Sequence, residues 1–306
     1  MSAAAKKDPV EVAANAAASD AANDARAEVL DQAERDKTAV SKLQRSKDAA
    51  VAAAREKWHH FVVDVWITPF NSIEFGFWKR DRNRGKSRQF TTDMDVFAEI
   101  IENGERTGVL GYRKELWNGA SGMDKRLVFK LFSETLNWRA SMDLMLGRSI
   151  QQTIGSRGIA VTTYMINTSD DNFVICLERS ANKWRFMPEY FSFFILDGGQ
   201  PRFYKLRRDF INLGGDYKLY DESGEKVGAI DGAILTIGGK WRCKVRGDHA
   251  DPRVLTVMKM FAGMIVFNNE TQRHVKTVVR DIRAGRLTPK LQRQESDLYM
   301  NPRRVR

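Results

Sequence analysis

The sequence predicts an α+β fold in which an antiparallel β-barrel wraps a buried hydrophobic C-terminal helix, with a long N-terminal helix and extra helices added. Three stretches carry that expectation. A 24-residue repeat marked by glycine turns runs through residues 191–246. A stretch apolar on almost every side, Val254–Phe267, follows it. An alanine-rich, evenly charged segment without glycine, and without proline after Pro9, precedes the aromatic run that begins at Trp58.

Residues 9–57 read as one helix, because alanine and straight-chain charged residues are strong helix formers. Its apolar stripe (Val29, Ala33, Val40, Leu43, Ala50, Ala54) is narrow, and Asp36 and Lys47 interrupt it. Either a coiled-coil or docking arm or a solvated helix fits that pattern. At Trp58 the character changes to WHHFVVDVWITPFNSIEFGFW, in which Pro69 stops any helix arriving from the left.

Residues 79–88 follow, with six basic side chains in ten: Lys79, Arg80, Arg82, Arg84, Lys86 and Arg88. Aromatic Phe77, Trp78 and Phe90 flank them. Gly85-Lys86-Ser87 copies the tail of a phosphate-binding loop, but the first glycine of that motif falls on Arg80. A side chain there blocks the close backbone approach the motif needs, so no nucleotide site is expected.

The spacing predicts a short helix over 93–103 ending at Gly104, capped by Thr92 or Asp93. A competing reading takes IIENGERTGVLGY as an earlier hairpin of the downstream kind, since it resembles LYDESGEKVGAIDG with Gly104 in the place of Gly224. A longer helix is expected over 124–153, where Leu127, Leu131, Leu136, Met142, Met145 and Leu146 recur at helical spacing behind Asp124. From Ile159 onward, IAVTTYMI, NFVICLE and KWRFMPEYFSFFIL read as strands separated by turn clusters.

In the repeat, Asp197 and Asp221 lie 24 residues apart, as do Leu213-Gly214-Gly215 and Ile237-Gly238-Gly239, and Tyr217 and Trp241. Strand alternation puts Tyr217, Leu219, Trp241, Cys243 and Val245 on one face and Lys218, Arg242, Lys244 and Arg246 on the other. Lys205 and Arg207 extend the basic face into the preceding strand. Pro252 suits the first turn of the last helix and Gly285 its end. At 14 residues, Val254–Phe267 is too short to span a bilayer, so burial inside the β structure is expected.

These tandem hairpins, followed by Asp251-Pro252 and the apolar helix, resemble the C-terminal half of the tubby-like superfamily, which includes phospholipid scramblases and LURP-one proteins. The resemblance covers about residues 190–284. It implies a β-barrel closed around the helix at 252–284, with its first half drawn from within 60–190. The chain departs from scramblases in lacking a cysteine cluster and in placing only Asp248 and Asp251 before the helix. Two carboxylates do not furnish the six or more oxygens that calcium takes.

The net charge of +11 sits wholly in residues 58–306, because residues 1–57 carry ten basic and ten acidic side chains. A body so charged is drawn to polyanions. Cys176 and Cys243 stand alone, outside any metal-ligand spacing, as free thiols of a reducing compartment. No secretory signal, no transmembrane span, no metal or cofactor motif and no catalytic motif is read.

The expectation is therefore an intracellular, non-enzymatic, lipid-binding protein, peripheral at a membrane and without cofactors. Anionic headgroups would be held by Lys79, Arg80, Arg82, Arg84, Lys86, Arg88, Lys205, Arg207, Lys218, Arg242 and Lys244, with Phe77 and Trp78 entering the interface. The alternative is a structural subunit of a larger assembly that uses the N-terminal helix (1–57) and basic C-terminal tail (287–306) as docking arms on protein partners. Nucleic-acid binding ranks third, for want of a recognisable module.

Overall fold

The computed structural model describes residues 57–65, 89–156, 158–169, 173–181, 188–209, 216–232, 239–290 and 292–300, with Gln32, Lys37, Lys42 and Ala53, which are helical. The rest of the helix expected over 9–57, and the basic stretch 79–88 with Phe77 and Trp78, lie outside the described residues. The chain divides into two compact units, 1–56 and 57–306.

Among the described residues of the second unit, twelve strands form a closed barrel. The first six are β1 (Trp58–Val65), β2 (Met94–Glu102), β3 (Glu105–Arg113), β4 (Val128–Ser133), β5 (Trp138–Leu144) and β6 (Thr163–Thr168). The others are β7 (Ile175–Arg179), β8 (Tyr190–Asp197), β9 (Gln200–Arg208), β10 (Tyr217–Asp221), β11 (Lys226–Gly232) and β12 (Lys240–Arg246). Each pairs antiparallel with the next in sequence, and β12 closes on β1 with Phe61 opposite Cys243 and Val63 opposite Trp241. Closure leaves no sheet edge open. Period-two alternation turns Phe61, Val63, Phe191, Ile195, Leu206, Leu219, Cys243 and Val245 into one interior core.

That core is completed by a 32-residue helix, Pro252–Arg283. Proline occupies its first turn, the Asp251 side chain accepts from the Arg253 N–H, and Gly285 follows its end at φ +69°. At 1.5 Å per residue it is about 48 Å long, roughly twice the height of an eight-residue strand. Its two halves therefore differ. From Val257 to Met264 it is almost wholly buried; beyond that only one stripe (Asn268, Thr271, Val275, Val278, Val279) is buried and the other faces are exposed or partly so. Phe261 makes edge contacts with Phe191 and Tyr217 at ring-centroid distances of 5.0 and 4.9 Å. Gly263 lies so near β3 that an added Cβ would come 2.7 Å from Leu110 Cδ1.

A half-buried carboxylate ties the helix to the barrel wall. Glu189 accepts from Tyr217 Oη (2.9 Å), Asn268 Nδ2 (2.8 Å) and Gln272 Nε2 (3.2 Å), and pairs with Arg179 at 2.9 Å. Burial alone would raise its pKa; Arg179 and these donors outweigh burial and hold it below the ordinary glutamate value.

Two helices expected from periodicity are not formed. Residues 94–102 are strand β2, turned into β3 through Asn103 (φ +53°) and Gly104 (φ +84°), so the hairpin reading holds and the helix reading of 93–103 does not. Asparagine and glycine tolerate those left-handed angles, which this two-residue turn requires. The stretch 124–153 holds β4, β5 and only one α-helix, Leu146–Gly155. Leu136, expected on the helical stripe, sits at φ +58° in the β4–β5 turn.

The misleading pattern has a physical cause. Phe129 and Leu131 face the barrel interior, while Phe132 joins a second cluster outside it with Phe90, Met94, Val96, Val109 and Leu136. With both faces of the strand buried, its polar–apolar alternation disappears.

Around the emerging end of the central helix, the C-terminal segment docks on the barrel unit. Lys290 pairs with Asp124 at 2.7 Å, Gln292 donates to the Met123 carbonyl, and Glu295 accepts from the Gly147 N–H at 2.7 Å. Nearby, His274 meets Trp117 edge-on at 5.9 Å, beside Lys125 and Glu270. Burial first, and then the Lys125 charge, push its pKa from 6.5 down to about 4.

An unfolded histidine binds a proton that this folded one refuses, so stability should fall as pH drops from 6.5 towards 4, by up to about 3 kcal/mol. Denaturant titrations of wild type and His274→Gln across that range test this. The variant should lose part of the slope; identical slopes would contradict the assignment.

Candidate functional site

The five basic residues of the repeat converge on one outer wall. In the antiparallel register, Arg207 of β9 stands opposite Lys218 of β10, Lys218 opposite Ala229 of β11, Ala229 opposite Lys244 of β12, and Lys244 opposite His60 of β1. Residues paired in this way share a face of the sheet, because the side-chain period is two. The result is a lateral cationic row, Arg207–Lys218–Lys244–His60, crossing four strand intervals, or about 19 Å at 4.8 Å per interval. Lys205 lies one step along β9 beside Tyr220, and Arg242 one step along β12 beside Asp231.

Not every charge on this wall is available. Lys218 is held by Asp209 at 2.6 Å, whose hydrogen bond raises its pKa above the ordinary lysine value. Lys240 is paired with Asp64 at 3.3 Å. Lys205, Arg207, Arg242 and Lys244 make no ion pair among the described residues. Lys205 and Arg207 stand two residues apart on β9, and Arg242 and Lys244 two residues apart on β12; within each pair like charges repel, and an anion placed there would relieve that repulsion.

Aromatic rings frame the row. Lys244 Nζ lies 5.6 Å from the Trp58 ring centroid and Lys205 Nζ 5.1 Å from that of Tyr190, both within cation–π range. Trp58 is 39 % exposed and Phe203 52 % exposed; Phe203 leans on Phe194, which leans on Phe173. These rings were not among the expected interface aromatics. Their signal is nevertheless in the sequence: the period that buries Phe61 turns Trp58 and His60 outward, and the one that buries Tyr204 exposes Phe203.

One residue leaves the expected set. Arg246, placed by alternation on the basic face, is only 6 % exposed and is bound by Glu225 and by Asp248, the latter at 2.7 Å. It stands where β12 passes into the turn before the central helix. There a polar network closes one side of the barrel mouth: Arg202 Nη2 and Tyr204 Oη both meet His249 Nδ1, at 2.9 and 3.1 Å. Burial, with Arg202 and Arg246 nearby, lowers the His249 pKa despite Asp248.

No family model, curated protein or solved structure matches this chain. Among the described residues, no group of three histidine, cysteine or acidic side chains is placed to hold a metal ion. Cys243 is buried and Cys176 partly buried, both free, and burial raises both thiol pKa values. Among those residues, too, no helix is long and apolar enough to cross a membrane.

Proposed function

We propose that this protein is a non-enzymatic, tubby-like lipid-binding module that docks on an anionic membrane surface through the outer wall of β8–β12 and β1. The observation that carries the reading is the register-aligned row Arg207–Lys218–Lys244–His60, with Lys205 and Arg242, which make no ion pair among the described residues, beside it and exposed Trp58 and Phe203 at its borders. The tubby-like assignment is supported by the closed twelve-stranded antiparallel barrel and the buried helix that follows its last strand, an architecture compatible with that superfamily.

The physical case has two parts. Each lysine or arginine brought to an acidic leaflet contributes about 1 kcal/mol. Lys244 stands across small Ala229 from Lys218, which Asp209 holds, so a phosphate has room to approach the Lys244 ammonium from that side. Amphipathic and aromatic rings settle at the headgroup level, so Trp58 and Phe203 favour a lipid interface over a polyanion without apolar depth.

Co-sedimentation with vesicles tests the reading. At low salt the full chain should pellet with phosphatidylcholine vesicles containing about a third phosphatidylserine, and not with pure phosphatidylcholine. Raising ionic strength should release it, since exposed charges are screened within about 10 Å at 0.1 M. Failure to bind acidic vesicles at low salt would remove the proposal.

A further inference from the structure

We infer a second site, inside the barrel mouth and separate from the outer wall, that binds a small organic monoanion with a short apolar tail. A cavity of about 300 Å³ opens there beside the first turns of the central helix. That volume lies at the lower end of the range for small-molecule sites.

The cavity follows from an asymmetry in the mouth. On the β9–β12 side, Tyr204, Arg202, His249 and Arg246 fill the space with a hydrogen-bonded network. On the β3–β6 side the interior positions are small. Gly108 takes an interior place where an added Cβ would come 2.6 Å from the Phe132 carbonyl oxygen, and Thr168 continues the inward series of Tyr164 and Ile166. Ile100, Leu131 and Leu255 supply apolar walls.

Two strand irregularities turn polar side chains into this space. Thr107 is the extra residue where Ile100 pairs with Gly108 and Ile101 with Arg106. Arg139 is the extra residue where Leu131 pairs with Ala140 and Phe132 with Trp138. Bulges at a barrel rim re-aim a side chain in this way, and both residues line the cavity.

The charges select the ligand's sign. Lys259 is matched by Glu102 at 2.5 Å and Arg253 by Asp251 at 2.7 Å, which leaves Arg139 as the cation on the cavity wall without an acidic partner among the described residues. The helix presents its positive end through Pro252, Leu255 and Thr256. Thr168 adds an independent sign of a missing partner: it is 6 % exposed, and its hydroxyl makes no hydrogen bond. A buried hydroxyl is seldom left so. One negative group for Arg139, Thr168 and the helix end, with a tail against Ile100, Leu131 and Leu255, satisfies all of these features.

Isothermal titration of the full chain with octanoate, octanol and octylammonium, each below its micelle concentration, tests the site. Octanoate should bind with one-to-one stoichiometry, at least ten-fold tighter than octanol, and octylammonium should not bind. Arg139→Gln, at an exposed position, should weaken octanoate about ten-fold or more, as expected for losing a charge-assisted hydrogen bond, and Thr168→Val should weaken it several-fold. Lys205→Gln on the outer wall should leave it unchanged. No binding of octanoate, equal binding of octanol, or an Arg139→Gln variant that binds as wild type would each overturn the proposal. Vesicle binding by the outer wall is read separately and is untouched by any of these results.

Discussion

Phe261→Ala should lower the unfolding free energy by about 3–5 kcal/mol, the range for emptying a fully buried aromatic site. Phe261 is 0 % exposed and meets Phe191 of β8 and Tyr217 of β10, so its removal opens a void between the helix and two strands at once. The wall cannot collapse to fill it. Each strand is tied to two neighbours in a closed barrel, and the helix is pinned about two to three turns further on by Asn268 and Gln272 on Glu189. Helix and barrel also share one core, so circular dichroism at a helical wavelength and intrinsic tryptophan fluorescence should report a single coincident transition. A loss below about 1 kcal/mol, or a helix that melts ahead of the barrel, would mean that the helix is not the core of the fold.

That core was legible for a specific reason. In β10 and β12 the interior face carries Tyr217, Leu219, Trp241, Cys243 and Val245 while the outer face is wet and basic, so alternation survives in the sequence. The apolar stretch Val254–Phe267 likewise announced burial on many sides, although the structure ends its full burial at Met264 and leaves Val266 39 % exposed. In β2, β4 and β5 the same barrel was hidden. Met94, Val96, Lys130, Phe132 and Asp143 point away from the interior and are still buried, which erases the two-residue period and leaves leucines and methionines at accidental helical spacing. Lys130 shows how strong that outer burial is: burial, opposed by Asp143, pushes its pKa down to about 8.

The candidate site divides along the same line. Lys205, Arg207, Lys218, Arg242 and Lys244 could be placed on one face from alternation alone, but their alignment into a row depends on the register of four strand pairs. Register is set by turn geometry and by the β10–β11 bulge at Leu219/Tyr220, neither of which side-chain periodicity reveals. Arg246 fails for a related reason. It alternates correctly, yet it sits at the strand end, where Glu225 and Asp248 from the adjoining turns capture it. The mouth cavity had no sequence signal, because Thr107 and Arg139 line it only as bulge residues.

The most direct test of the outer wall as a membrane-docking surface removes the four charges that make no ion pair among the described residues and leaves the fold intact. A variant with Lys205, Arg207, Arg242 and Lys244 all replaced by glutamine should lose affinity for phosphatidylserine-containing vesicles by about a thousand-fold, from four contributions of about 1 kcal/mol each. Its unfolding midpoint should stay within a few degrees of wild type, because none of the four makes an ion pair among the described residues. Such a loss, with an unchanged midpoint, is the expected result. Vesicle affinity within three-fold of wild type would contradict the account.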